Sequence, residues 1–269
     1  MDERSFHTTI YQPVQLARFI DRYIIYHFRE DEEILFFPEG HFDLILQSDQ
    51  DILYRSDSML DWISRPRLFV GGLHSRSYSV KPARKNTHLI SIQFKANGAN
   101  YFIPEKLHLY KNKIIDLLDV FNVRQLDKLE HVRITSDFPE ILKELETFLL
   151  SIFRERADSP VDTALALLQQ QNGFCRMDEL AWQTGISRSQ FRKRFREEIG
   201  MSPKEYSKIL RINAITRHLT NSNNTGNLTN LTYQLGYFDQ SHLIKDFQSV
   251  AGMSPKKFQR KNWENQSHC

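Results

Sequence analysis

The chain has 269 residues, of which 40% are hydrophobic and 26% charged, the proportions of a water-soluble folded protein with room for about two domains. No apolar run approaches the roughly 18 residues that a membrane span needs, and the two cysteines, Cys175 and Cys269, make neither a disulfide framework nor a metal-ligand cluster. The net charge of +3 hides an asymmetry: residues 161–269 hold 15 Lys+Arg and 9 Asp+Glu, or +6, and the rest of the chain is −3.

Met1 to Thr9 is charged and polar, so no export signal is expected and a reducing cytoplasm fits. Glu33 to Phe37 and Phe42 to Leu46 are rich in β-formers, and Pro38-Glu39-Gly40-His41 between them is turn chemistry. Arg67 to Val70 runs into Gly71-Gly72, and Ser77 to Val80 follows. Ile90, Ile92 and Phe94 alternate with Ser91 and Gln93, which predicts a half-buried strand. Several short strands with turn signals predict a small antiparallel barrel or sandwich, with helices packed after it. A helix is expected over Ile114 to Phe121. A stronger one follows Pro139, with Ile141, Leu145, Phe148, Leu149 and Ile152 at helical spacing. The polar stretch Ala157-Asp158-Ser159-Pro160 predicts a boundary between a β-rich domain over 1–156 and a basic, all-helical domain over 161–269.

Nothing in the β-rich part predicts catalysis. His41, His74 and His88 are scattered, with no pair of histidines one residue apart of the kind that β-barrel metal enzymes use. No phosphate loop or nucleophile elbow occurs, and residues 1–160 contain no cysteine. No catalytic residue, metal ligand or cofactor is therefore expected. A ligand-binding or metal-dependent barrel enzyme, to which the helical domain over 161–269 is accessory, is the alternative.

The C-terminal part carries a repeat. Gly200-Met201-Ser202-Pro203-Lys204 recurs as Gly252-Met253-Ser254-Pro255-Lys256. Phe191 matches Leu243, Phe195 matches Phe247 and Tyr206 matches Phe258 at one offset, while Leu180/Leu231 and Gly185/Gly236 match one residue short of it. A repeat of this period is one supersecondary unit used twice. The length change falls in a turn, because a helix interior would lose its apolar register. In the first copy Gly185 turns the chain, Ser187 is a fit N-cap, and Phe191, Phe195 and Ile199 make one buried stripe. In the second, Gly236 turns, Asp239 caps, and Leu243, Phe247 and Val250 or Ala251 form the stripe. Each copy is a helix-turn-helix, the geometry that places a second helix in the DNA major groove.

Two such units, each closed by Gly-x-Ser-Pro and an aromatic residue and joined by a long helix, resemble the DNA-binding domain of AraC/XylS-type transcription regulators. The resemblance runs from near Asp162 to near Gln259 and rests on Ser187 to Phe195, Gly200 to Pro203, Arg211 and Ala214. Thr232 and Asp246 depart from the pattern, and the stretch Asn221 to Asn230 is loop-like where a helix should begin. The resemblance implies an α+β chain. A cupin-like sensing or dimerisation domain comes first, and then two readers on a linking helix, Lys204 to about Leu219, whose apolar side is Ile209, Ile212, Ile215 and Leu219. It implies a cytoplasmic, sequence-specific regulator, an activator rather than a repressor, with double-stranded DNA and RNA polymerase as partners. It allows a small-molecule effector and a homodimer, and involves no membrane.

By position in the motif, Ser189, Arg192 and Lys193 are the expected base contacts of the first reader, and Gln240, Ser241 and Lys245 those of the second. Arginine pairs bidentately with guanine, and glutamine with adenine. Arg188, Arg194 and Arg196 are expected on phosphate. From Ser187 to Ile199 the net charge is +3, and from Asp239 to Ala251 it is −1, so the first reader should anchor the complex.

Overall fold

The computed structural model describes residues 6–48, 52–56, 59–130, 132, 134, 137–221 and 228–260. Two antiparallel sheets form its first half. The larger orders β1 (Phe6–Tyr11), β2 (Ile20–Phe28), β9 (Thr87–Phe94), β4 (Asp43–Gln47), β7 (Leu68–Gly71) and β10 (Ile114–Asp116). The smaller orders β3 (Ile34–Phe36), β8 (Tyr78–Pro82), β5 (Ile52–Ser56) and β6 (Ile63–Ser64). The expected strands are present, and β1, β2, β5 and β6 join them.

One expected helix is absent. Ile114 to Asp116 is a strand paired with Phe69 to Gly71, and Leu117 to Asp119 is a 3-10 turn. Two adjacent β-branched residues favour the strand. The Asp116 side chain then accepts from the Leu118 amide at 2.9 Å and starts the turn. The later helices are α1 (Val123–Glu130), α2 (Phe138–Ile152) and α3 (Pro160–Gln170). Ser159 and Asp162 form a capping box at the start of α3. Pro160 is thus its first residue, where a missing N–H costs nothing.

The two repeats follow as α4 (Met177–Gln183) with α5 (Arg188–Ile199), and α7 (Leu228–Gln234) with α8 (Gln240–Ala251). Between them runs α6 (Pro203–Asn221), and α9 (Pro255–Arg260) comes last. Both turn glycines have positive φ, +68° at Gly185 and at Gly236. Ser187 and Asp239 cap as expected, their side chains accepting from the amides of Gln190 and His242. Residues 222–227, within the Asn-rich stretch, and Cys269 lie outside the described residues. Cys175 is half-buried, and its thiol lies 3.0 Å from Gln171 Oε1.

Two hydrophobic cores organise the helices. The first runs unbroken from the barrel (Phe42, Ile92, Phe94) through α2 and α3 to Phe191, Phe195, Ile199 and Ile209. The second gathers Ile212, Ile215, Leu231, Leu243, Phe247 and Phe258. The helix α6 therefore belongs to both. Asp246, the residue at odds with the motif, explains part of that bond. It is turned inward on α8 and meets Lys208 at 3.1 Å and Arg211 at 3.4 Å, both on α6. Arg211 in turn lies over the rings of Phe174 and Tyr237.

The barrel also grips the helices. Gly200 ends α5 in the left-handed region (φ +97°), and a Cβ there would lie 3.0 Å from the Phe42 ring. Asn213 donates to the Glu39 carbonyl at 3.1 Å, the Ser77 amide donates to the Val250 carbonyl at 2.8 Å, and Lys106 pairs with Glu197 at 2.9 Å.

On the outer face of the larger sheet, His7, His27 and His88 stand in register across three strands. The rings of His7 and His27 stack at 4.3 Å, and Phe138 of α2 meets His27 edge-on at 5.3 Å. Burial, then the neighbouring imidazoles His7 and His88 and the charge of Arg29, push the His27 pKa down to about 4.

Phe195→Ala and Phe247→Ala should each cost about 3–5 kcal/mol, read by denaturant unfolding; an unchanged midpoint would place that ring outside its core. Asp246→Ala strands the cations of Lys208 and Arg211 and should cost on the order of 3 kcal/mol in the same assay. The neutral form of His27 is favoured in the fold. Its contribution should therefore be complete above the ordinary value of 6.5 and lost as pH falls toward about 4. His27→Asn should flatten that part of the stability–pH curve, and an unaltered curve would contradict the assignment.

Candidate nucleic-acid interface and barrel cavity

All nine residues expected to face DNA are exposed: Arg188, Ser189, Arg192, Lys193, Arg194 and Arg196 on α5, and Gln240, Ser241 and Lys245 on α8. They are exposed because the opposite stripe of each helix is consumed by its core. On α5 the structure brings Arg188, Arg192, Lys193 and Arg196 to one groove of about 600 Å³, together with Lys204 from the first turn of α6. Lys204 was not singled out by the motif, although it directly follows Gly-x-Ser-Pro in both copies. Asp178 and Glu197 also line the groove, and Asp178 meets Arg188 at 3.1 Å. Arg194 lies off this groove, on the flank of α5.

The second reader presents a different surface. Asp246 faces the core and Asp239 is spent on the helix cap, its carboxylate accepting from the His242 amide at 2.7 Å. The −1 count of this helix therefore overstates the negative charge that its exposed face shows. Exposed aromatic residues were missed altogether. Trp182 on α4 and Tyr233 on α7 are 78% and 67% exposed and occupy equivalent places in the two units. The offset that pairs Leu180 with Leu231 pairs these two as well, so the repeat held the signal.

A cavity of about 420 Å³ lies inside the barrel, and Asn213, Thr216, Arg217 and Thr220 of α6 form part of its wall. At that end Glu39 bridges Arg22 at 2.8 Å and His41 at 3.1 Å. Burial opposes the imidazolium of His41, but the Glu39 hydrogen bond and the nearby Asp43 outweigh it and raise its pKa. Burial raises Asp43 too, whose carboxylate accepts from Ser91 at 2.8 Å. Thr216 Oγ1 is buried there without a hydrogen-bond partner. The three histidines are far apart in role: His41 is in this cluster, His74 packs on Tyr54 and Tyr78, and His88 packs on the outer face against His27. Among the described residues no group of three or more His, Cys, Asp or Glu is arranged to hold a metal ion, and no helix is long and apolar enough to cross a membrane.

Comparison with known proteins agrees with this geometry. The profile of a helix-turn-helix domain matches residues 180–261, and that of a domain of unknown function, DUF6597, matches residues 9–116. An AraC-like transcription regulator of Streptomyces lividans is 32% identical over 105 residues, 39% of this chain and 34% of that protein. An uncharacterised HTH-type transcriptional regulator of Haemophilus influenzae is 28% identical over 104 residues, 38% of this chain and 34% of that protein. The chain thus spans about a third of the length of the curated relatives it matches. Among solved structures, ToxT from Vibrio cholerae aligns over 96% of this chain and 98% of its own, with a TM-score of 0.50 and 12% identity. That likeness is one of fold: a β-rich first half followed by the helical pair of readers. Matched segment and repeat agree that the C-terminal double helix-turn-helix of this chain is similar to that of AraC-like transcription regulators.

Proposed function

We propose that the protein is a cytoplasmic transcription regulator that binds a specific DNA sequence through both helix-turn-helix units. The observation that carries this reading is the pair of exposed recognition helices, α5 and α8, held on one shared helix. At 1.5 Å per residue α6 is about 28 Å long, a length suited to units entering successive major grooves about 34 Å apart. In this reading Ser189, Arg192, Lys193, Gln240, Ser241 and Lys245 reach base edges, while Arg188, Arg194, Arg196 and Lys204 hold phosphate. The unlike readers call for an asymmetric site, which a homodimer would use twice.

The division of labour follows the chain: residues 1–156 sense or dimerise and residues 161–269 read DNA. The barrel cavity is the effector site in this reading, because α6 forms part of its wall and a ligand there touches the helix that sets the spacing of the readers. The resemblance of the C-terminal part to AraC-like regulators supports activation through RNA polymerase. No catalytic role is assigned: His41, His74 and His88 sit in three separate environments, which counts against the barrel-enzyme alternative.

The test is selection of genomic fragments by the full chain, followed by gel shift on the selected operator at several salt concentrations. Binding should be sequence-selective and weaken steeply with salt; a folded chain without a selective shift would refute the reading. On that operator Arg192→Ala should cost about 1–3 kcal/mol of affinity and Lys245→Ala less. Equal losses would make the second reader an equal electrostatic partner.

A further inference from the structure

The barrel cavity has a second polar end, away from α6, where two hydrogen-bonding atoms stand without partners. Asp43, Ile45 and Gln47 alternate onto the cavity wall along β4, which separates the acidic end from Gln47 by about 13 Å. Gln47 is wholly buried, and its Nε2 donates to the carbonyl oxygens of Arg65 and Pro66, each at 2.8 Å. Those two bonds use both amide hydrogens and fix the orientation of the group. Its Oε1 is therefore an acceptor with no donor. Arg65, also on the cavity wall, sits over the Tyr54 ring at 4.4 Å, and its Nε–H has no acceptor. Among the described residues no carboxylate pairs with it. Its neighbourhood is neutral: burial, and then Arg65 itself, push the His74 pKa down to about 4.

A buried donor and a buried acceptor left unmade are costly, the more so when one is charged. Both line the cavity, so a ligand can satisfy both. Arg65 calls for an anionic oxygen, and Gln47 Oε1 calls for a neutral O–H or N–H beside it. Between this end and Asp43 the wall is apolar and aromatic, with Ile45, Phe69, Tyr78 and Leu89.

We infer that the cavity takes an organic hydroxy acid with an apolar body. Its carboxylate accepts from Arg65, its neighbouring hydroxyl donates to Gln47 Oε1, and the body runs back along β4 toward α6. The inference rests on the effector reading of the cavity given above. A plain carboxylate leaves Gln47 Oε1 unmet, and a neutral diol leaves the Arg65 charge unbalanced. An amino acid sets an ammonium beside the guanidinium.

The test is calorimetric titration of the full chain, without DNA, with four probes sharing one body: phenyllactate, hydrocinnamate, phenylpropanediol and phenylalanine. Phenyllactate should bind about tenfold or more tighter than each of the others. Arg65→Gln should weaken phenyllactate about tenfold or more and leave phenylpropanediol unchanged; since Arg65 holds no ion pair here and loses only its stacking on Tyr54, the variant should still unfold in one cooperative transition. Equal binding of phenyllactate and the diol, an unaffected Arg65→Gln variant, or no binding of any probe by the folded chain would overturn the inference. A gel shift on the same preparation separates the two readings. Loss of DNA binding with phenyllactate binding intact refutes the regulator and not the ligand class, and the reverse refutes the ligand class alone.

Discussion

One helix, α6, serves two hydrophobic cores at once, and the geometry of both readers depends on it. Ile209 is packed into the core that continues from the barrel, whereas Ile212 and Ile215, about one and two turns later, are packed into the second. A reader that left its core would expose this apolar surface to water, at roughly 25 cal/mol per Å². Lys208 and Arg211 add direction to that packing by gripping Asp246 of α8. Apolar burial alone would let α8 slide along the helix; paired charges with low exposure fix where it sits.

The same helix is gripped from the other side by the barrel. Gly40 has a φ of +91° and approaches Tyr206 so closely that a Cβ would lie 3.2 Å from its ring, and Gly200 stands in the same relation to Phe42. A glycine of the repeated motif thus does two things: it ends α5 and it lets the barrel come near. With the Asn213, Lys106 and Ser77 contacts, the barrel touches α5, α6 and α8. A change in cavity filling therefore has a short physical route to the spacing of the readers, through the α6 side chains on the cavity wall.

The parts legible in the sequence were those fixed by local rules. Caps at Ser187 and Asp239, turns at Gly185 and Gly236 and the two apolar stripes follow from backbone chemistry that does not depend on distant residues. The repeat then checked each copy against the other. What escaped needed tertiary information. The stretch Ile114 to Phe121 has helical spacing, but its first residues found an open sheet edge at Phe69 to Gly71 and paired with it. In β2 the consecutive residues Tyr23 to Tyr26 are buried on both faces, and in β1 Thr8 and Thr9 break the pattern, so neither strand shows an apolar alternation to read. Asp246 counted as a surface acid in sequence, and only the fold shows it turned toward Lys208 and Arg211. The Gln47 and Arg65 end of the cavity joins residues 18 apart through two backbone carbonyls, a juxtaposition that no motif announces.

In the proposed function α6 holds two DNA readers in one fixed relation. Hydroxyl-radical footprinting of the full chain on its selected operator tests it most directly. Two protected windows are expected on one face of the duplex, separated by one helical turn of about 10 base pairs, with the Asp246→Ala chain losing the window of the second reader first. A single protected window, or two windows half a turn apart on opposite faces, would contradict it.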